Sequence, residues 1–575
     1  MFFSTYARRD SDYLFHDGAR PTGVLLVSTF SNKHGGAISE SLGPEAIAGH
    51  LIGTFGTTIA IDHIDLQLDQ SARAIAAKVA RDRPSLVGIS VKIGALDQLR
   101  NLMRLLLPLR YDEGTGPLLV LGGVVPTFAT AALLEEFPQV IMVVREGENA
   151  TAALVDYVRG ERSLASVPGI AFRNESGELV ATPAQRLKLA QRFLPARLTS
   201  ERVHKELGGM VWAEASRGCD FNCTFCSIRD LHGGGFDGGI SPESVIADLI
   251  ELDRRGIRAV SFTDDDFGGD PERTAKIARL IKEARLNIRF SISTRADHIW
   301  RERLSIKGER LDDAELVDRN RRLRQIMVEL AEAGLERVFI GMESGSPTQL
   351  RRYGKQVSVE GNYKALEILH ELGIDAVAGY IPIDPAMSLT ELQENIAFLR
   401  RTGMYRKITN PLSVLRVQAG SPYLKLARQR GLLEEATDDL VFFKARFEDE
   451  NVQRVAELAD RWVEDMYVFM FGLKGEVASQ TLLLGPGGVA TSASRQVENC
   501  LFGFRELEME FIEAVTSRLA HNGGANLRDI TETFVGKRSK LVQQVIALVE
   551  DGVIGKNPRL QEAIVSMNKE TAHAA

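Results

Sequence analysis

The sequence predicts an α/β protein in three parts: an N-terminal doubly wound Rossmann-like domain, a partial (β/α)6 barrel and a mostly helical C-terminal domain. Three observations carry this reading. Short apolar strands alternate with amphipathic helical stretches over 23–160, the same alternation starts afresh at Met210, and beyond about Gly420 the pattern turns helical. A chain of 575 residues, at roughly 150 residues per domain, gives each part enough length to bury a core of its own. The expected boundaries are an extension over 1–22, the first domain over 23–165, a linker over 166–205, the barrel over 206–425 and the helical domain over 426–575.

In the first domain the predicted strands are 24–27, 58–61, 86–90, 118–121 and 140–144, separated by amphipathic segments such as 45–55 and 72–80. Five apolar strands alternating with helices imply a parallel sheet whose ligand crevice lies at the strands' carboxyl ends. Those ends carry 28–36, 91–94, 122–127 and 145–148, with glycines where a flat ligand could approach the backbone. A hairpin with a turn at 174–177 follows, expected as a linker or edge element. The barrel strands are predicted at 211–215, 259–263, 288–292, 337–341, 376–381 and 413–417, with helices at 242–254, 274–283, 313–333, 361–372 and 389–401. Functional residues of such a barrel sit on the loops after its strands. Helices are predicted beyond it at 423–430, 452–471, 496–520, 526–534 and 540–550, interrupted by the glycine-rich stretch 482–492. That stretch lacks the lysine and hydroxyl of a phosphate-binding loop and reads as a simple loop.

Composition excludes several classes. With 70 basic against 77 acidic side chains the net charge is -7, so no nucleic-acid partner is expected. No apolar run of about 18 residues exists to span a membrane, and the first residues mix charges into their apolar positions unlike a signal peptide. Of four cysteines, Cys219, Cys223 and Cys226 fall together while Cys500 stands alone, which is no disulfide framework. A reducing cytoplasm is the expected compartment.

The clustered cysteines lie in SRGCDFNCTFCSI, directly after the first barrel strand. Structural zinc takes four protein ligands; here only Cys500 or His232 could complete such a set. A four-iron cluster on three thiolates leaves one iron open, and an open position is what chemistry at a metal requires. The CxxxCxxC spacing, with Phe225 before the last cysteine, resembles the signature of the radical S-adenosylmethionine superfamily. The resemblance implies a 4Fe-4S cluster held by Cys219, Cys223 and Cys226, whose open iron chelates the amino and carboxylate groups of S-adenosylmethionine. One electron from the cluster then cleaves the sulfonium to a 5'-deoxyadenosyl radical. It further implies adenine packing near Phe225, and contacts to the rest of the cofactor from FTDDDF, STRADHI and GMESGS, here Asp264, Asp265, Arg295, Glu343 and Ser344. Asp264, Asp265, Asp266, Arg295 and Glu343 at successive strand ends would be repulsive or strained without a polar ligand.

A doubly wound domain before such a barrel is similar to the cobalamin-binding subclass of that superfamily. The matching pieces are ISVKIGA with Ser90 and Val91, LGGVVPT with Gly122 and Gly123, and REGEN with Glu146, Gly147 and Glu148, which by resemblance cradle cobalamin. The resemblance covers 23–423, about two thirds of the chain. Two departures stand out. Where relatives that ligate cobalt from below carry DxHxxG, this chain reads NKHGGA, leaving His34 without its aspartate. The glycine-rich GGGFDGG, 233–239, replaces a stretch in which relatives carry an arginine, and reads alone as a flexible lid.

The expected activity is methyl transfer from S-adenosylmethionine through methylcobalamin to an unactivated or weakly nucleophilic carbon of a small-molecule or natural-product precursor. An external electron donor such as flavodoxin or ferredoxin is implied. The alternative inside the family is ring contraction, cyclisation or another rearrangement without methyl transfer; more distant is a non-catalytic cobalamin sensor. A methylthiotransferase would need further cysteines before Cys219, and there are none. Trp462, Tyr467 and Cys500 are expected to pack in the helical core.

Overall fold

The computed structural model describes residues 21–30, 38–68, 71–111, 116–236, 238–302, 312–483, 492–521, 526–554, 560–561 and 563–565. His34 and most of the 482–492 stretch lie outside these residues.

Seven strands form the first sheet: β1 (Thr22–Ser28), β2 (Ile59–Asp65), β3 (Leu86–Ser90), β4 (Leu118–Gly122), β5 (Ile141–Val143), β6 (Ile170–Arg173) and β7 (Leu179–Ala181). Their order is β2-β1-β3-β4-β5-β6-β7, with β1 to β5 parallel. The strand order reverses between β1 and β3, and ligands of open α/β sheets bind at such a switch point. Nearly continuous Val, Ile and Leu runs give these strands two buried faces, each packed by helices. The predicted hairpin is more than a connection: β6 pairs antiparallel with β5 and extends the sheet.

The second sheet is β8 (Val211–Ala213), β9 (Ala259–Phe262), β10 (Arg289–Arg295), β11 (Leu335–Glu343) and β12 (Asp375–Tyr380), all parallel and in sequential order. Helices between them begin where the sequence signals a cap. Ser241 precedes Pro242, and capping boxes join Asp312 with Glu315 and Ser388 with Glu391. The sixth barrel strand predicted at 413–417 does not join this sheet as a strand. Ile408 and Val414 each make one bridge, to Ala378 and Ile383. The chain then enters a small antiparallel sheet of β13 (Val417–Gln418), β14 (Leu433–Ala436) and β15 (Phe442–Ala445). Short, half-exposed strands with charged residues lack the apolar run that would have announced them.

Three long helices close the chain: Glu450–Leu483, Ser492–His521 and Arg528–Glu550. The last replaces the two predicted over 526–550, because Gly536, the weakest helix former in 535–539, lowers helix propensity without ending the helix. Val452, Val455, Ala459 and Trp462 belong to the barrel's own core, with Trp462 stacked on Phe511 at 4.7 Å. Met466, Phe469, Leu473, Val497, Phe504 and Val545 form a separate core further along, against which Cys500 packs. Cys500 is therefore no ligand partner for the other three cysteines.

Candidate functional site

The loop after β8 carries Cys219, Cys223 and Cys226 as free thiols. Gly218 (φ 82°) starts it, and a Cβ there would stand 2.7 Å from the Gly235 carbonyl oxygen. The loop is pinned from behind: Thr224 N–H donates to the Tyr353 carbonyl (2.9 Å), its hydroxyl to the Arg352 carbonyl (3.0 Å), and its own carbonyl accepts from Tyr423 N–H (2.6 Å). Phe225 sets its ring edge-on to Tyr353, centroids 4.9 Å apart. Burial, reinforced by the Asp266 carboxylate, pushes the Cys219 thiol up to about 12, and burial pushes Cys226 up to about 11. Such thiols stay protonated at neutral pH unless a coordinated metal takes the proton's place. Among the described residues no group of three or more His, Cys, Asp or Glu converges on a single ion. A four-iron cluster takes one thiolate per iron and needs no such convergence, so the donor set fits the cluster.

The carboxyl ends of the next strands surround this loop. Asp264 accepts from Ala215 N–H (2.9 Å) and the Ser216 hydroxyl (2.5 Å). Burial nevertheless pushes its carboxyl up to about 6. Asp265 accepts from Gly218 N–H at 2.8 Å. For Asp266 burial works upward, but His298 at 2.9 Å, Arg295 and the Thr294 hydroxyl at 3.1 Å outweigh it and hold its carboxyl below the usual range. At the end of β11 the register with β12 slips between Gly341 and Glu343, and Glu343 adopts φ 66°. A bulge of this kind re-aims a side chain. The Glu343 carboxylate is paired with the buried Lys355 ammonium at 3.0 Å. A Cβ on Gly341 would come within 2.8 Å of both groups, so the glycine clears their space. Ser344 turns inward, its hydroxyl engaged with Gln349 (2.7 Å) and Asn395 (2.8 Å).

In the first sheet Ser90 and Val91 lie at the switch point at the end of β3, Gly122 and Gly123 at the end of the adjoining β4, and Glu146, Gly147 and Glu148 after β5. The Ser90 carbonyl accepts from Thr29 N–H (3.0 Å) and the Thr29 hydroxyl (2.9 Å), and Val91 N–H donates to the Gly122 carbonyl (2.9 Å). Gly123 (φ 107°) has only 3.2 Å between a built Cβ and the Val91 carbonyl oxygen. A side chain there would press on the Val91 backbone, so the glycine keeps a bare ledge of backbone at the strand end. Gly147 packs close to Ile47, 2.9 Å from a Cβ it does not have.

Glu146 and Glu148 do something the sequence did not announce. Arg217, two residues before Cys219, reaches Glu148 at 2.6 Å, Glu214 at 2.8 Å and Glu146 at 4.0 Å. Burial pushes Glu148 up, but the charge and hydrogen bond of Arg217 bring it down to about 2. His232 stands between the sheets, Nε2 3.1 Å from Asp265 and Nδ1 3.9 Å from Glu146. Arg145 donates to the Asp230 carbonyl (2.9 Å) and carboxylate (3.1 Å) on the same seam. Gly233, Gly234 and Gly235 of the glycine-rich loop pack against Arg145, Arg186 and Asp220, so this part of the loop is a fitted wall. The only available signal for Arg217 was its place beside the cysteine motif; charges that pair across some 70 residues leave no local pattern.

Comparison with known proteins agrees with this geometry. The Radical SAM superfamily model matches residues 214–399 and the B12 binding domain model residues 42–155. The 4'-phospho-dehydrooxetanocin synthase of Priestia megaterium is 27% identical over 65% of this chain and 50% of its own length. An uncharacterized methyltransferase of Pyrococcus horikoshii is 27% identical over 57% of this chain and 66% of its own. The chain thus spans about half to two thirds of the curated relatives it matches. Among solved structures, the cobalamin-dependent S-adenosylmethionine radical enzyme OxsB with aqua-cobalamin and S-adenosylmethionine bound superposes with a TM-score of 0.80 at 20% identity, covering 96% of this chain and 84% of that one. The radical S-adenosylmethionine methyltransferase TsrM from Kitasatospora setae gives 0.60 at 15%, covering 84% and 99%. The two matched domains bring a 4Fe-4S cluster, S-adenosylmethionine and cobalamin as cofactors. With three thiols on the first barrel loop and a glycine-lined switch point locked against it, the chain belongs to the cobalamin-dependent radical S-adenosylmethionine family.

Proposed function

We propose that this protein moves a methyl group from S-adenosylmethionine, by way of cobalamin, to an unactivated or weakly nucleophilic carbon of a small-molecule precursor. The observation that carries the reading is the seam: Arg217 and His232 join the cysteine-bearing barrel face to Glu146 and Glu148 of the cobalamin domain. Bound there, the cluster supplies one-electron cleavage of S-adenosylmethionine and cobalamin supplies a cobalt that carries methyl. The chain's own work is placement. Cys219, Cys223 and Cys226 hold the cluster, while Phe225, Asp265 and Glu343 face S-adenosylmethionine, with Asp264 and Ser344 bracing the strand ends behind them. Ser90, Val91, Gly122, Gly123 and Gly147 shape the corrin ledge. Facing domains supply proximity and keep water from the radical. The helical region's core is continuous with the barrel's, and in this reading the region would close the open side. The partners of this reading are a small natural-product-like substrate and an external one-electron donor of the flavodoxin or ferredoxin type, in the cytoplasm. Among the described residues no helix is long and apolar enough to cross a membrane.

A second reading, rearrangement of the substrate without methyl transfer, draws on the likeness to a synthase over 65% of this chain. Anaerobic reconstitution with iron, sulfide and cobalamin, followed by product analysis with S-adenosylmethionine and candidate substrates, separates the two. S-adenosylhomocysteine together with 5'-deoxyadenosine supports methylation; deoxyadenosine alone supports rearrangement. Failure to retain cobalamin removes the methyl-transfer reading. Replacing Cys219, Cys223 and Cys226 together by alanine should abolish the iron–sulfur chromophore, and its persistence would refute the cluster assignment.

A further inference from the structure

We propose that Arg295 serves the cluster itself: its guanidinium donates a hydrogen bond to the Cys223 sulfur and raises the reduction potential of the iron–sulfur centre, instead of clamping the carboxylate of S-adenosylmethionine. The inference rests on the cluster reading above.

Arg295 ends β10 and is 4% exposed. Its donors are almost fully assigned. Nε donates to Asp297 Oδ1 (2.8 Å), Nη2 to Asp297 Oδ2 (3.2 Å) and to the Lys355 carbonyl (2.5 Å), and Nη1 to Cys223 Sγ (3.5 Å). Asp297 is in turn held by Arg301 at 3.2 Å, so the fork that grips Arg295 is anchored. One flat face of the guanidinium lies 3.3 Å from the ring centroid of Phe221, a residue between the first two cluster cysteines. Edge and face are both fixed, which leaves Nη1 aimed at sulfur. Of five N–H bonds four are committed, and a bidentate grip on a carboxylate needs two parallel ones. The geometry is wrong for a cofactor clamp and right for a sulfur donor.

The electrostatic consequence has a definite sign. Reduction adds one electron from an external low-potential donor, taking the cluster from the 2+ to the 1+ core state with no bond made or broken. A buried cation in contact with a ligating sulfur stabilises the more negative reduced state, and hydrogen bonds to cluster sulfurs raise the potential. Asp266 acts the other way, with its Oδ2 3.9 Å from Cys219 Sγ. Arg295 and Asp266 therefore bias the same centre in opposite directions from adjoining strand ends. Lysine is no substitute, because a point charge keeps neither the fork to Asp297 nor the stacking on Phe221.

The test is an EPR-monitored redox titration of reconstituted wild type, Arg295→Gln and Arg295→Lys, with S-adenosylmethionine affinity measured alongside. Arg295→Gln should lower the reduction equilibrium constant at least tenfold, a shift of 59 mV for a one-electron couple. Arg295→Lys should shift it less in the same direction. An unchanged potential with lost S-adenosylmethionine binding overturns the proposal and makes Arg295 a cofactor ligand. If Arg295→Gln assembles no cluster, Asp297→Asn, which removes the counter-charge and leaves the cation beside the sulfur, should raise the potential; no shift or a lowered potential there overturns it. A wild-type protein that assembles no cluster fails at the cysteines, a different failure that refutes the reading beneath.

Discussion

Arg217 faces three carboxylates from two domains, and its guanidinium is largely buried among them. Surface pairs of this kind contribute little, but removing one partner of a buried set leaves uncompensated charge. Arg217→Met should therefore lower the stability of the folded chain by about 3 kcal/mol, read as a drop in urea midpoint with unchanged m-value. The same variant should lose cobalamin during gel filtration, since Glu148 begins, and Glu146 just precedes, the helix beside the proposed corrin ledge. Normal cobalamin retention would show the seam to be merely structural. At this scale legibility followed locality. The cysteines stood out by their spacing and the acids by their place at predicted strand ends; the pairing of Arg217 with Glu148 and of His232 with Asp265 did not, because it forms only when distant segments meet.

Among elements, the segment 196–200 shows how the two sheets are bolted together. Arg197 is fully buried, ion-paired with Glu40 of the first domain and with Asp248 (2.5 Å) on the barrel helix Pro242–Arg254. Glu45, on the first helix, accepts from Leu198 N–H (2.7 Å), Thr199 N–H (2.9 Å) and the Thr199 hydroxyl (2.7 Å). His63 stands 2.9 Å from Glu45 and 2.8 Å from the Ser28 hydroxyl, a serine–histidine–carboxylate chain like that of hydrolases. All three are buried, however, and the carboxylate is saturated by the segment it holds. It is a fastening. Arg197→Met strands two buried carboxylates and should cost roughly 3–5 kcal/mol, with faster proteolysis within 182–199 as an independent readout; an unchanged cleavage rate would contradict the bolt. Of its neighbours, the strand at Val211 was legible from its apolar run, whereas the helix Ser200–Leu207 fell within what read as a linker. The segment's own role was not legible, since a run without apolar period reads as a connection whatever it binds. The sixth barrel strand failed for the opposite reason: an apolar run at 413–417 looked like a strand, but its pairing with the barrel stops at one bridge, around Ile383.

For the whole molecule, the question is how firmly the cobalamin domain is held against the barrel as pH changes, and the seam titrates from both sides. Arg217 outweighs burial at Glu148, which is held at about 2 against an ordinary 4.5, and hydrogen bonds from His63 and Thr199 do the same for Glu45. Depressed acids contribute stability that is present above 4.5 and lost as pH falls toward 2. His232 moves the other way: burial lowers it, but Asp265 and Glu146 outweigh burial and raise it above 6.5. Its contribution is complete below 6.5 and disappears as pH rises through the raised value. Domain docking should therefore be strongest between 4.5 and 6.5, weakening on both flanks. Urea midpoints across pH test this, with one variant for each flank. Glu148→Gln should make the acid limb shallower, leaving the share of Glu45, and keep the alkaline limb, while His232→Asn should flatten the alkaline limb and keep the acid one. If His232→Asn kept the wild-type loss above 6.5, the histidine would not be the group that titrates at the seam. In the proposed reading the seam sets the separation of cluster and corrin, so cobalamin retention should follow the same curve in wild type, and a retention curve independent of pH would uncouple cofactor binding from domain docking.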